Sequence, residues 1–169
     1  MRKLALVNYK DEEIGKCEKL EAHKNALLHR AFSVMLKNSK GEFLLQRRAE
    51  GKYHSGGLLA NSCCSHPEPG RGVVECAKER LVEELGICVN ELTDIGSFVY
   101  YHKFEDGLVE YELDHVLCGN YDGDINFNKE EVSGVFWKTR GEIHEELLNS
   151  PEKYSVWFKE VFYMIENKI

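Results

Sequence analysis

Two periods run through the apolar residues of this chain, and together they mark out its elements. The opening "MRKLALVNYKDEE" reads as a first strand. "AFSVMLKNSKGEFLLQRR" then reads as two apolar strand runs around a Lys-Asn-Ser-Lys-Gly turn, a hairpin in which Gly41 supplies the backbone freedom of the bend. The period changes in "GVVECAKERLVEELGI", where Val74, Ala77, Leu81 and Leu85 recur at helical spacing and Gly86 stands where a helix C-terminal cap belongs. "SFVYYHKFEDGLVEYELDHVLC" returns to β-branched and aromatic runs on both sides of Asp106-Gly107, a tight-turn signal, and predicts a second, longer hairpin. A strand follows at about 132–137, then a helical stretch to Asn149. Ser150-Pro151 then opens a second helix carrying Tyr154, Trp157, Phe158, Val161 and Ile165. Strands with a few interleaved helices make an α+β layered domain.

Composition narrows the function classes. A length of 169 residues favours one domain, 1–169, with a core large enough to fold alone. Hydrophobic residues at 43% and charged residues at 30% are globular values, and no apolar run approaches the roughly 20 residues that span a bilayer. Acidic residues follow the short apolar opening at once and no small-residue cleavage site appears, so a cytoplasmic protein with reduced thiols is expected despite an even count of six cysteines. A net charge of −7 argues against a nucleic-acid binder, yet a few local cations suffice for an anionic small substrate.

Three clusters carry candidate chemistry. On the strand after Asp106-Gly107, Glu110, Glu112 and Asp114 share one face, which is either a solvated sheet face or an acidic set that a cation holds together. His23, His29 and His66 lie where the chain enters or leaves a strand and are plausible co-ligands, whereas His54, His102, His115 and His144 fit less well. Three imidazoles with two carboxylates suit a divalent transition metal or magnesium; singly, each histidine reads as a surface or capped residue. In "ANSCCSHPEPG", Cys63 and Cys64 are too close to bridge and no second C-x-x-C exists for a Cys₄ zinc site. A buried inert cysteine is one reading; a thiolate acting as base or nucleophile beside a metal or cations is the other. Adjacent side chains point differently, so only one of the pair faces a site. The cations Lys19, Arg47, Arg48, Lys52 and Arg80 form either a solvated hairpin end or a phosphate-binding set. Arg80 and Glu84, four apart on one helix face, pair a cation with an acid suited to magnesium bridging to a phosphate.

The order His23-x₅-His29, "RAFSVML", "QRRA", "NSCCSHP", "VEELG", Tyr100, "VEYE" and "YSVW" resembles the type 1 isopentenyl-diphosphate isomerase family of the Nudix superfamily, from about Lys19 to Trp157. The resemblance implies an α/β/α sandwich with a mixed central sheet, and interconversion of isopentenyl and dimethylallyl diphosphate. It also implies that Cys64 and Glu112 are catalytic, with Tyr100 near the glutamate and the ring of Trp157 facing a substrate carbocation. It implies that His23, His29, His66, Glu110 and Glu112 hold Mn²⁺ or Zn²⁺, and that Glu84 binds Mg²⁺ with the diphosphate. Lys19, Arg48, Lys52 and Arg80 are the implied phosphate contacts. The partner is then a small isoprenoid diphosphate, with no nucleic acid or membrane, on a monomer or weak homodimer. Which of Glu112 and Cys64 is acid and which base stays open.

Two departures shape the expectation. Leu59-Ala60 stand where the family usually has Trp-Thr, so an aromatic wall is missing or supplied elsewhere and a roomier pocket is expected. The Nudix box is degenerate: Glu79-Arg80 replace the usual Arg-Glu, and Arg71 stands at the upstream glutamate position. Hydrolysis of a diphosphate and a non-catalytic domain with a structural metal remain as alternatives.

Overall fold

The computed structural model describes residues 2–52 and 54–168. Strands β1 (Lys3–Val7) and β2 (Glu13–Glu18) form an antiparallel pair, followed by a short helix α1 (Lys19–Lys24) and by β3 (His29–Lys37) and β4 (Phe43–Arg48). Two short strands, β5 (Leu59–Ala60) and β6 (Cys63–Ser65), precede helix α2 (Val73–Leu85). Then come β7 (Thr93–Lys103), β8 (Val109–Asn120), β9 (Val132–Lys138), α3 (Arg140–Asn149) and α4 (Phe158–Lys168).

Strand β3 organises the sheet. Its whole length runs parallel to β8, from His29 beside Glu112 to Lys37 beside Asn120. Along its other edge it meets β1 at His29, β6 at Phe32 to Val34, and β4 only at Lys37. The expected hairpin over β3 and β4 therefore holds at its turn but not along its strands: a strand has two edges, β6 takes the place β4 would occupy, and β4 pairs with β9 and β5 instead. The hairpin of β7 and β8 forms as the Asp106-Gly107 signal predicts, with Gly107 at φ 87°.

Alternation along the strands sends side chains to two cores. Phe32, Val34, Leu36, Leu44 and Leu117 meet Ala77, Leu81 and Leu85 of α2, while Met35, Phe43, Leu45 and Val116 meet Phe158, Val161, Phe162 and Ile165 of α4. The result is the α/β/α sandwich with a mixed sheet. Gly86 closes α2 at φ 66°, donating to the carbonyls of Leu81 and Val82, and a Cβ there would lie 2.8 Å from the Asn126 carbonyl oxygen. A capping box between Thr139 and Glu142 starts α3.

The tail departs from the predicted second helix. Pro151 opens only a 3₁₀ turn, Pro151–Lys153, and Tyr154 and Trp157 precede α4. The cause is competition for hydrogen bonds: Tyr154 bridges to Leu59 and the Ser155 N–H donates to the Leu59 carbonyl at 2.8 Å, so this segment docks on β5.

Candidate active site

The three acids of β8 are not a solvated face. Glu110, Glu112 and Asp114 are 5%, 6% and 1% exposed, because β8 lies between β3 and β7 with this face turned into the molecule. Register sets their neighbours: His29 of β3 and Tyr100 of β7 both lie beside Glu112. The Tyr100 hydroxyl donates to Glu112 and approaches Glu110 at 3.3 Å. Burial, reinforced by the negative charges of Glu112 and Glu110, pushes the Tyr100 hydroxyl well above its ordinary value, so it stays a donor.

His29 enters the site at the start of β3, as expected, and His66 follows β6; His23, expected at a strand end, sits on α1 instead. Nδ1 of His23 contacts the Lys19 carbonyl at 2.6 Å and its Nε2 lies 3.1 Å from Glu110 Oε1. His29 repeats the arrangement, with Nδ1 at 2.9 Å from the Leu27 carbonyl and Nε2 at 3.1 Å from Glu112 Oε2. His66 Nε2 is 2.6 Å from the same Glu112 oxygen. When Nδ1–H donates to a carbonyl, a neutral ring presents its Nε2 lone pair, and here that lone pair would face a carboxylate. A cation between nitrogen and oxygen satisfies both. The ligand atoms of His23, His29 and Glu110, and those of His29, His66 and Glu112, each fall within 4.8 Å of one another. Buried imidazoles, backbone-oriented and mixed with carboxylates, fit a divalent cation.

Ionisation is split across the cluster. Burial would raise Glu112, but hydrogen bonds to His29 and His66 outweigh it and hold the carboxyl well below the ordinary range. Glu110 is raised by burial and by the charge of Glu112, and Asp114 is raised well above its ordinary value by the same two causes in that order. Asp114 Oδ2 accepts from Ser33 Oγ at 2.8 Å. Burial lowers the imidazoles of His66 and His54 to about 4, whereas for His29 the bond and charge of Glu112 overcome burial and raise it.

The sequence reading set His54 aside, and the structure brings it in. Its ring is 5% exposed and its Nε2 is 3.2 Å from Glu110 Oε1. No strand pattern marks it, because it lies in the loop between β4 and β5.

The thiols separate across the sheet. β6 places Cys63 beside Val34 and Cys64 beside Ser33. Cys63 packs into the α2 core with Sγ 3.6 Å from Glu84 Oε2, while Cys64 points into the cavity beside Trp157. Trp157 Nε1 donates toward Cys64 Sγ at 3.2 Å and toward Asn61 Oδ1 at 3.1 Å, and Cys64 Sγ lies 3.1 Å from that same Asn61 oxygen. Burial pushes Cys64 up to about 12, although Arg48 pulls it down, which favours the protonated thiol over the thiolate.

A cavity of about 250 Å³ joins these groups, lined among others by Lys19, Arg48, Lys52, Arg80, Cys64, His66, Glu110, Glu112 and Trp157. Four of the five expected cations are thus at one site. Arg47 is not, since its neighbour Arg48 takes the inward face and its own guanidinium lies 5.4 Å from the Phe136 ring. The Arg48 guanidinium lies 5.0 Å from the Trp157 ring. Glu131, which the sequence reading missed, pairs with Lys52 and stands 3.5 Å from Arg80. Glu84 is buried behind the cavity wall, its oxygens taken by Arg80 at 2.7 Å, Cys63 and Gln46. His23, His29 and Tyr100 likewise stand behind the lining residues they contact.

Comparison with known proteins gives the family. The NUDIX domain model matches residues 27–158. Isopentenyl-diphosphate Delta-isomerase 2 of Aromatoleum aromaticum is 44% identical over 152 residues, covering 90% of this chain and 80% of that protein. The chain belongs to the isopentenyl-diphosphate isomerase family of NUDIX-domain proteins. A second member, from Pectobacterium atrosepticum, is 41% identical and covers 98% of this chain and 92% of its own. The fold is also that of DR0079 from Deinococcus radiodurans, with a TM-score of 0.76 at 21% identity over 95% of this chain and 97% of that one.

Both departures from the family pattern now have a place. Leu59 and Ala60 are core residues at 4% and 1% exposure and lie outside the cavity lining. Arg71 pairs with Glu68, Glu75 and Glu79 on the outer surface of α2, away from the cavity. Glu79 of the degenerate box is thereby engaged outside it.

Proposed function

We propose that this chain interconverts isopentenyl and dimethylallyl diphosphate. The observation that carries the reading is the single cavity that holds Cys64, Glu112 and Trp157 together with the cations Lys19, Arg48, Lys52 and Arg80. The diphosphate lies among those cations, where arginine forks match its oxygens and where it competes with Glu131 for Lys52 and Arg80. The hydrocarbon end then reaches Cys64 and Glu112.

Moving the double bond adds a proton to the terminal methylene carbon and removes one from the carbon two bonds away, through a tertiary carbocation. Glu112 and Cys64 are the two proton carriers: one delivers, the other removes, and they exchange roles with direction. Tyr100 fixes the Glu112 carboxyl by its hydroxyl, and Asn61 with the Trp157 N–H fixes the Cys64 sulfur. The Trp157 ring, which already faces one cation in Arg48, stabilises the intermediate through its π face, worth about 2 kcal/mol when desolvated. The buried walls keep water from the carbocation.

His23, His29, His66, Glu110 and Glu112 would hold a Mn²⁺ or Zn²⁺ ion, which supplies a fixed positive charge that tunes the acidity of the Glu112 carboxyl. Glu84, beside Arg80, would hold the Mg²⁺ that accompanies the diphosphate, which would supply charge neutralisation to the phosphate oxygens. The reading is tested by incubating the protein with isopentenyl diphosphate and treating the product with acid, since an allylic diphosphate ionises in acid and its precursor does not. Acid-labile product is expected; none, with metal supplied, would contradict it.

A further inference from the structure

His54 lies outside the ligand set that the family resemblance implies, yet it is built into the same wall. Its ring stacks on Phe104 with centroids 4.2 Å apart and planes within 6°, and Phe104 sits at the tip of the β7 and β8 hairpin that carries Glu110. Arg48 holds the backbone beneath, its Nε donating to the His54 carbonyl at 3.1 Å. Ser55 follows at φ 54°, a conformation disfavoured for a side-chain-bearing residue, so the loop accepts strain in the turn that follows His54. The ring meets His23 edge-on at 4.9 Å.

The spacing of donor atoms is the main argument. Six donors at about 2.1 Å around one ion put neighbouring donors about 3 Å apart. His23 Nε2 to Glu110 Oε1 is 3.1 Å, His29 Nε2 to Glu112 Oε2 is 3.1 Å, and His54 Nε2 to Glu110 Oε1 is 3.2 Å. His54 thus approaches the Glu110 oxygen at the distance of an adjacent ligand, on the cavity side where His23 and His29 do not reach.

We propose that His54 is a further ligand of the cation held by His23, His29, His66, Glu110 and Glu112, held in place by its stack on Phe104. This rests on the reading that the cluster holds a divalent cation. An additional imidazole makes the site richer in nitrogen and shifts its preference toward ions such as Co²⁺, Ni²⁺ and Zn²⁺ over Mg²⁺.

The test uses the full chain loaded with Co²⁺. Affinity is measured by competition with a colorimetric chelator, and imidazole ligands are counted by X-ray absorption, for wild type, His54→Gln, Phe104→Ala and His66→Ala. His54→Gln is expected to bind Co²⁺ about 10-fold more weakly and to show one imidazole fewer than wild type, with Phe104→Ala weakened in the same sense. Wild-type affinity and imidazole count in His54→Gln, with His66→Ala impaired, would overturn the assignment of His54 alone. Failure of wild type and His66→Ala alike to take up the ion would overturn the cation site itself, and His54 with it.

Discussion

The indole N–H of Trp157 reaches the sulfur of Cys64 at 3.2 Å, and both groups converge on the side-chain oxygen of Asn61. Asn61 is itself fixed, because its amide donates to the carbonyls of Val34 at 3.1 Å and Cys63 at 2.9 Å. The segment before α4 and the thiol strand are therefore aligned by one amide. Trp157→Phe keeps an aromatic ring but loses the N–H, and it is expected to lower kcat about 10-fold with little change in KM or thermal midpoint. Trp157→Ala removes packing as well and should cost about 3–5 kcal/mol of stability. Chemical denaturation beside steady-state kinetics distinguishes the two; equal kcat in Trp157→Phe and wild type would remove the N–H from the account.

The two thiols make a paired control. Cys64→Ser is expected to lower turnover by about 10²–10⁴, since a hydroxyl is a far weaker acid than a thiol. Cys63→Ser leaves the cavity unchanged and should retain most turnover, its effect appearing as lost stability in the α2 core. An electrophilic epoxide analogue of the substrate should label Cys64 in preference to Cys63, as peptide mapping would show. Inactive Cys63→Ser beside active Cys64→Ser would reverse the assignment.

Metal content separates structural from ligating histidines. His66→Ala is expected to reduce bound divalent metal, measured by atomic emission on dialysed protein, while His144→Ala, whose Nε2 pairs with Glu166 at 2.7 Å, should match wild type. Chelation should abolish turnover and re-addition of Mn²⁺ or Zn²⁺ with Mg²⁺ should restore it. Equal metal content in both variants would refute the ligand set.

Stability should depend on pH through Glu146. Burial would raise this carboxyl, but hydrogen bonds from Lys138 at 2.5 Å and from Tyr154 outweigh burial and lower it. A lowered carboxyl binds fewer protons folded than unfolded, so its contribution is present above the ordinary carboxylate range and is lost as pH falls through the folded value. Glu146→Gln should therefore be about 1–2 kcal/mol less stable than wild type at neutral pH, with the gap closing in acid, as urea midpoints across pH would report. A gap independent of pH would contradict the pairing.

Much of this site was legible because it lies on regular elements. Alternation on β8 put Glu110, Glu112 and Asp114 on one face, and the spacing on α2 put Arg80 beside Glu84, as found. What the pattern could not carry was depth. An alternating polar face looks the same whether water or histidines cover it, and only the parallel pairing of β3 with β8 brings His29 to Glu112. His54 and Glu131 lie outside regular elements and have no period to announce them. The tail misled for a related reason: Tyr154 and Trp157 have helical spacing, but the hydrogen bond of Ser155 to Leu59 takes them out of the helix.

The most direct test follows the substrate itself in deuterated water. With isopentenyl diphosphate and metal present, the account predicts that deuterium enters the carbon skeleton, visible by mass spectrometry and NMR at the terminal methyl group, while no inorganic phosphate is released. Release of phosphate without deuterium on carbon would mean that the cavity cleaves the diphosphate and does not move the double bond, and it would contradict the account.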